Sequence, residues 1–121
     1  MKVILDSSFI ISCVMKNIPF IEQLEEQGFE ILLAREVMQE LKDLKHKVSH
    51  DERKAIEIAF QILENTKMKK ITLGKEKVDF GLIHKGKEGY YIATLDAAIK
   101  RDVPNRIFIN SAKNSIEVER S

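Results

Sequence analysis

Apolar residues along this chain form short continuous runs, separated by stretches in which they recur every three or four positions. That alternation predicts buried strands between amphipathic helices. Val3-Ile4-Leu5 reads as a first strand, followed by helical segments over Phe9 to Met15 and Ile18 to Glu26 that part near Pro19. Gly28 closes the second of these, and Phe29 to Leu33 forms the next strand. Val37, Met38, Leu41 and Leu44 then recur at helical spacing. Ser49 and Glu52 make a capping box ahead of Ala55, Ile56, Ala59, Phe60 and Leu63, which predicts a helix over Asp51 to Glu64. Lys70 to Leu73 is a third strand, Val78, Leu82 and Ile83 mark a helix, and Tyr90 to Leu95 is a fourth strand. A short helix over Ala97 to Arg101, a fifth strand over Arg106 to Ile109 and an edge strand over Ser115 to Glu119 complete the order.

Strands that alternate with helices imply an α/β fold with a mainly parallel central sheet covered on both faces. Such a sheet binds ligands beyond the carboxyl ends of its strands, where the strand order reverses. The 121 residues contain no internal repeat, low-complexity tract or linker, so one domain over residues 1–121 is expected. Hydrophobic residues make up 44% and charged residues 32%, which excludes a disordered tail. No apolar run is long enough to span a bilayer and no signal-peptide pattern opens the chain, so a cytoplasmic location away from membranes is expected. The formal net charge of +1 means that nucleic-acid binding must come from local basic clusters. Cys13, the one cysteine, cannot form an internal disulfide and reads as a buried thiol.

Four acids interrupt this pattern. Asp6 and Asp96 each end an apolar strand run, so both emerge at the same edge of a parallel sheet and meet if the first and fourth strands are neighbours. Glu40 lies three residues after Val37 and four before Leu44, at the edge of a buried stripe, while Glu36 and Asp43 point further toward solvent. Asp79 sits among Val78, Leu82 and Ile83. Taken singly, Asp6 and Asp96 read as helix caps, and a cap is open to Asp79 as well. Taken together, converging carboxylates bind a hard divalent cation such as Mg²⁺ or Mn²⁺ and point to a phosphodiester hydrolase. His46 and His50 are separated by the capping signal at Ser49, and His84 is isolated, so no histidine ligand set forms. There is no P-loop, dinucleotide fingerprint, nucleophile elbow or CxxC. Of the many basic residues between Lys67 and Arg106, those flanking Asp79 and Asp96, with Lys85, Lys87, Lys100 and Arg101 foremost, are candidates to hold a phosphate backbone.

Leu5-Asp6-Ser7-Ser8, Val37 through Glu40-Leu41, Val78-Asp79 and Ala93-Thr94-Leu95-Asp96 resemble, in order and spacing, the motifs of PIN-domain nucleases. The similarity spans nearly the whole chain. Tyr91-Ile92-Ala93-Thr94-Leu95-Asp96 and Ser115-Ile116-Glu117-Val118-Glu119-Arg120 resemble the last strands of the archaeal and eukaryotic rRNA-processing branch. The resemblance implies a three-layer α/β/α fold, endoribonuclease activity in rRNA processing or ribosome maturation, and Mg²⁺ or Mn²⁺ held by Asp6, Glu40, Asp79 and Asp96. It also implies support from the hydroxyls of Ser7, Ser8 and Thr94. RNA and a pre-ribosomal particle are the implied partners, with a homodimer because related domains often dimerise. Phe80 and Ala98 stand where relatives often carry further acids. That departure keeps two alternatives in view: a catalytically weak RNA-binding or assembly module of the same fold, and the toxin ribonuclease of a toxin-antitoxin pair.

Overall fold

Runs such as Val3-Ile4-Leu5 and Ile31-Leu32-Leu33 have no polar face to turn to water, so they are stable only where both sides are covered. The computed structural model, which describes residues 1–121, places them at the centre of a sheet. The chain runs β1 (Lys2–Leu5), α1 (Ser7–Met15), α2 (Phe20–Glu26), β2 (Glu30–Ala34), α3 (Arg35–Leu44), α4 (His50–Glu64), β3 (Lys69–Ile71), α5 (Val78–Lys87), β4 (Tyr91–Ala93), α6 (Ala97–Asp102), β5 (Arg106–Asn110) and β6 (Ser115–Glu119). The strand order is β3-β2-β1-β4-β5-β6, parallel throughout except for the β5–β6 pair. From β1 the chain steps outward through β2 to β3 and then crosses back to β4, so the order reverses between β1 and β4. With right-handed crossovers, the helices on the outward path and those on the return cover opposite faces, giving the three-layer α/β/α fold. Accordingly α1 packs against α3 and α4, while α5 packs on β4 and α6. No helix is long and apolar enough to cross a membrane.

Helix ends follow their sequence signals. Ser49 caps α4 by accepting from the Glu52 amide, as its capping box predicts. After α2, Gly28 adopts φ +87°, and the amides of Gly28 and Phe29 return to the carbonyls of Glu25 and Leu24. Gly89 and Tyr90 close α5 in the same way on Gly86 and Lys85. Two strands are shorter than their apolar runs suggest. β3 stops at Ile71 because the Leu73 amide donates to the Glu36 side chain instead of to a neighbouring strand. β4 stops at Ala93 because the amides of Leu95 and Asp96 donate to the hydroxyls of Ser8 and Thr94. Both interruptions fall at the carboxyl edge of the sheet.

Candidate active site

Leu5 of β1 pairs with Ala93 of β4, and the next amide, that of Asp6, still donates to the Ala93 carbonyl at 2.8 Å. Asp6 therefore leaves the sheet at the point of strand reversal, where it also caps α1. Its side chain is buried. Oδ1 accepts from the Ser7 amide at 2.8 Å, and Oδ2 accepts from the hydroxyls of Thr94 at 2.6 Å and Ser8 at 3.3 Å. Burial nevertheless holds the carboxyl above its ordinary range, against the lowering effect of those three donors, and the Asp79 charge pushes the same way.

The half-buried Glu40 of α3 is joined to this group through Ser7, whose hydroxyl donates to Glu40 Oε1. Burial raises the Glu40 carboxyl too, opposed by Ser7 and reinforced by the charges of Asp6, Asp79 and Asp43. Asp79 lies exposed in the first turn of α5, one residue past Val78 and two past the N-cap Lys77, so the cap alternative does not hold. The buried stripe of α5 runs through Gly81, Leu82 and Gly86, which turns Asp79 and Phe80 to solvent. Asp96, half-buried, caps α6 by accepting from the amides of Ala98 at 2.8 Å and Ile99 at 3.4 Å. Its own amide donates to Thr94 Oγ1 at 3.1 Å, so its link to Asp6 passes through the Thr94 hydroxyl. For Asp6 and Asp96 the capping reading holds, and Thr94 links the Asp6 carboxylate to the Asp96 amide.

These groups are all oxygen donors. Cys13 is buried with its thiol pushed up to about 12, and the three histidines are exposed, His84 between Glu76 and Glu88. The donor chemistry fits a hard divalent cation rather than a thiolate- or imidazole-bound one. No three acidic, histidine or cysteine side chains stand close enough to hold an ion directly.

Glu36, read from the sequence as pointing to solvent, has a structural role. It accepts from Thr72 Oγ1 at 2.6 Å and from the Leu73 amide at 2.9 Å. Burial tends to raise its carboxyl, but the bonds from Thr72 and Leu73 outweigh it and hold the group below its ordinary range. No local pattern announces this tie, because its partners lie 36 and 37 residues away. Glu36, Gln39, Glu40, Asp43, Lys47 and Val78 line a cleft of about 440 Å³ between α3 and α5.

The basic candidates separate into two groups. Lys100 and Arg101 lie in the last turn of α6, one turn beyond Asp96, and with Arg106 and Phe108 they line a cleft of about 280 Å³. Lys100 Nζ stands 5.7 Å from the Phe108 ring centre. Lys85 and Lys87, by contrast, close the far end of α5, about 9 to 12 Å along the axis from Asp79. Lys85 faces Glu88 at 3.7 Å and the Tyr90 ring at 5.5 Å. Lys85 and Lys87 thus lie away from Asp79, because α5, which begins at Val78, carries them toward the opposite edge of the sheet.

No family model matches the sequence, and a comparison with curated protein sequences finds no match either. The solved structures are more informative. The PIN domain endonuclease Utp24 is similar with a TM-score of 0.77 over 99% of this chain and 92% of that one, at 22% identity. VapBC2 from Rickettsia felis, bound to a DNA fragment from their promoter, is similar with a TM-score of 0.55 over 97% of this chain and 100% of that one, at 14% identity. The sheet order, the helices on both faces and the coverage of nearly every residue agree: this chain has the PIN-domain fold.

Proposed function

We propose that this protein is a divalent-cation-dependent endoribonuclease that cleaves RNA during rRNA processing or ribosome maturation. The observation that carries the reading is the pair Asp6 and Glu40. They are bridged by Ser7 at the strand reversal, and both are raised by burial and by the charge of Asp79. Carboxylates held together against their own repulsion need a reason, and a cation between them and a phosphate supplies it. Likeness to a protein named as an endonuclease supports the reading.

Asp6, Glu40, Asp79 and Asp96 would hold Mg²⁺ or Mn²⁺, partly through water. When bound, such a cation acidifies a nearby water and offsets the charge that builds on the departing oxygen. The chain's own part is positioning. Thr94 and Ser8 fix the orientation of Asp6, and Ser7 fixes that of Glu40. Asp96 is fixed by the amides it caps. Lys100 and Arg101 hold the phosphate backbone beside Asp96, and Lys85 and Lys87 lie where only a strand continuing along α5 reaches them. No side-chain nucleophile is required.

The test is cleavage of a structured RNA by the wild type and by Asp6→Asn. Cleavage that needs Mg²⁺ or Mn²⁺ and disappears in the variant is expected, and equal cleavage by the two proteins rejects the assignment. A second reading, an RNA-binding module with a weakened site, is favoured by Phe80 and Ala98, both exposed where further acids would strengthen cation binding. RNA binding without cleavage by the wild type selects it.

A further inference from the structure

Of the six phenylalanines, only Phe80 is exposed: 61% of its surface faces solvent, the largest fraction for any large hydrophobic residue in the chain. The next residue, Gly81, lies so close to Leu73 that an added Cβ would stand 2.8 Å from the Leu73 Cβ, and the Leu73 amide is in turn tied to Glu36. The first turn of α5 thus packs against the segment held by Glu36, and the Phe80 side chain faces solvent. Its chain neighbour is Asp79, whose charge is felt by both Asp6 and Glu40. An exposed aromatic face, preceded in the chain by exposed Lys75 and Lys77 with Glu76 between them, at the rim of a site for phosphate chemistry, has the composition of a single-strand stacking platform.

We infer that Phe80 stacks on a nucleobase of single-stranded RNA adjoining the phosphate presented to Asp6 and Glu40. The inference rests on the ribonuclease reading for its substrate, but its test does not need cleavage. The chain has no tryptophan, so Phe80→Trp places a lone indole at the platform. In an Asp96→Asn background, chosen to suppress hydrolysis, its emission is to be titrated with oligoadenylate and with an abasic strand of equal length and charge. Quenching by oligoadenylate alone is expected. In the same background, Phe80→Ala should weaken oligoadenylate binding by about 5- to 100-fold and leave the abasic strand unaffected, with Phe80→Tyr close to the parent.

Absence of quenching by oligoadenylate overturns the inference, even where the wild type cleaves RNA in an Asp6-dependent manner. Base-dependent quenching in a protein whose wild type never cleaves upholds the platform and rejects the nuclease instead. Equal weakening of both strands by Phe80→Ala also overturns it. So does loss of concentration-dependent self-association with base dependence intact, which assigns the ring to contact between copies of the chain.

Discussion

Thr94 Oγ1 donates to Asp6 Oδ2 at 2.6 Å across 88 residues of sequence, and it ties the carboxyl ends of β1 and β4 where they separate. The hydroxyl also accepts the Asp96 amide, so one atom orients two acids. Both ends of this bond are buried, and the acceptor carries charge once Asp6 ionises. Removing it leaves Asp6 less well solvated by the protein, and Thr94→Val should lower stability at neutral pH by about 2 kcal/mol. Thr94→Ser should recover most of that loss. Chemical denaturation of the three proteins measures both effects, and an unchanged midpoint in Thr94→Val would show that the bond contributes nothing net.

The acids also set the direction of the pH dependence. Asp6 and Glu40 titrate above their ordinary 3.8 and 4.5 when folded, so between those values and the folded ones the native state binds more protons than the unfolded chain. Stability contributed by these two groups therefore falls as pH rises through that window and stays lower above it. Glu36 acts oppositely: its contribution is complete above 4.5 and is lost as pH falls through its depressed folded value. With a chelator present, acidification from neutral pH toward the ordinary 3.8 of Asp6 should favour the wild type more than Asp6→Asn. Glu36→Gln should lose stability at neutral pH and little in strong acid. Thermal melts across pH decide this, and an Asp6→Asn protein with the wild-type pH profile would exclude Asp6 as a source.

A cation that binds only the folded protein reverses part of that neutral-pH cost. Mg²⁺ or Mn²⁺ should raise the Tm, by the equivalent of about 1.4 kcal/mol at ten times its Kd. Asp96→Asn should shrink the gain. The comparison is made at constant ionic strength, and the absence of a shift with either ion would favour the non-catalytic module.

Much of this arrangement is legible in the sequence because it depends on short-range grammar. Asp6 and Asp96 follow apolar runs, and parallel strands carry such residues to one edge whatever the tertiary detail. The capping and stop signals at Ser49 and Gly28 are equally local. What escapes the sequence is contact between distant segments. Ser7 reaches Glu40 over 33 residues and Glu36 reaches Leu73 over 37, and no spacing rule pairs them. Lys85 and Lys87 mislead for a related reason: nearness to Asp79 in number becomes separation along a helix axis.

Close packing makes a stability prediction at Gly86. A Cβ there would stand 2.5 Å from Val103 Cγ1 and 3.2 Å from Ile92 Cγ1, where α5 meets the sheet. Gly86→Ala should destabilise by about 1–3 kcal/mol through overpacking, despite its better helix propensity. Val103→Ala removes the nearest of these atoms, though Val103 Cβ at 2.9 Å stays, so the double variant should cost somewhat less than the sum of the two changes. Additive losses in a double-mutant cycle would mean that this close approach is not the cause.

Under the proposed ribonuclease reading, the two sets of lysines allow RNA binding to be tested apart from chemistry. Lys75 and Lys77 precede Asp79 at the carboxyl edge, whereas Lys85 and Lys87 close α5 at its other end. For a strand that crosses the acids and passes Phe80, Lys75→Ala with Lys77→Ala should reduce the slope of log affinity against log salt by about 0.7 for each phosphate that is no longer neutralised. Lys85→Ala with Lys87→Ala should reduce it less, because those cations meet only RNA that continues along the helix. Neither pair should lower the cleavage rate at saturating RNA, since neither supplies a ligand or a proton to the reacting phosphate. Asp96→Asn should separate the same quantities in the other direction: binding at least as tight, because one negative charge near the backbone is gone, and hydrolysis abolished. Equal slopes for the two lysine pairs would place the strand along the whole of α5, and a larger change from Lys85 and Lys87 would move its path away from the acids.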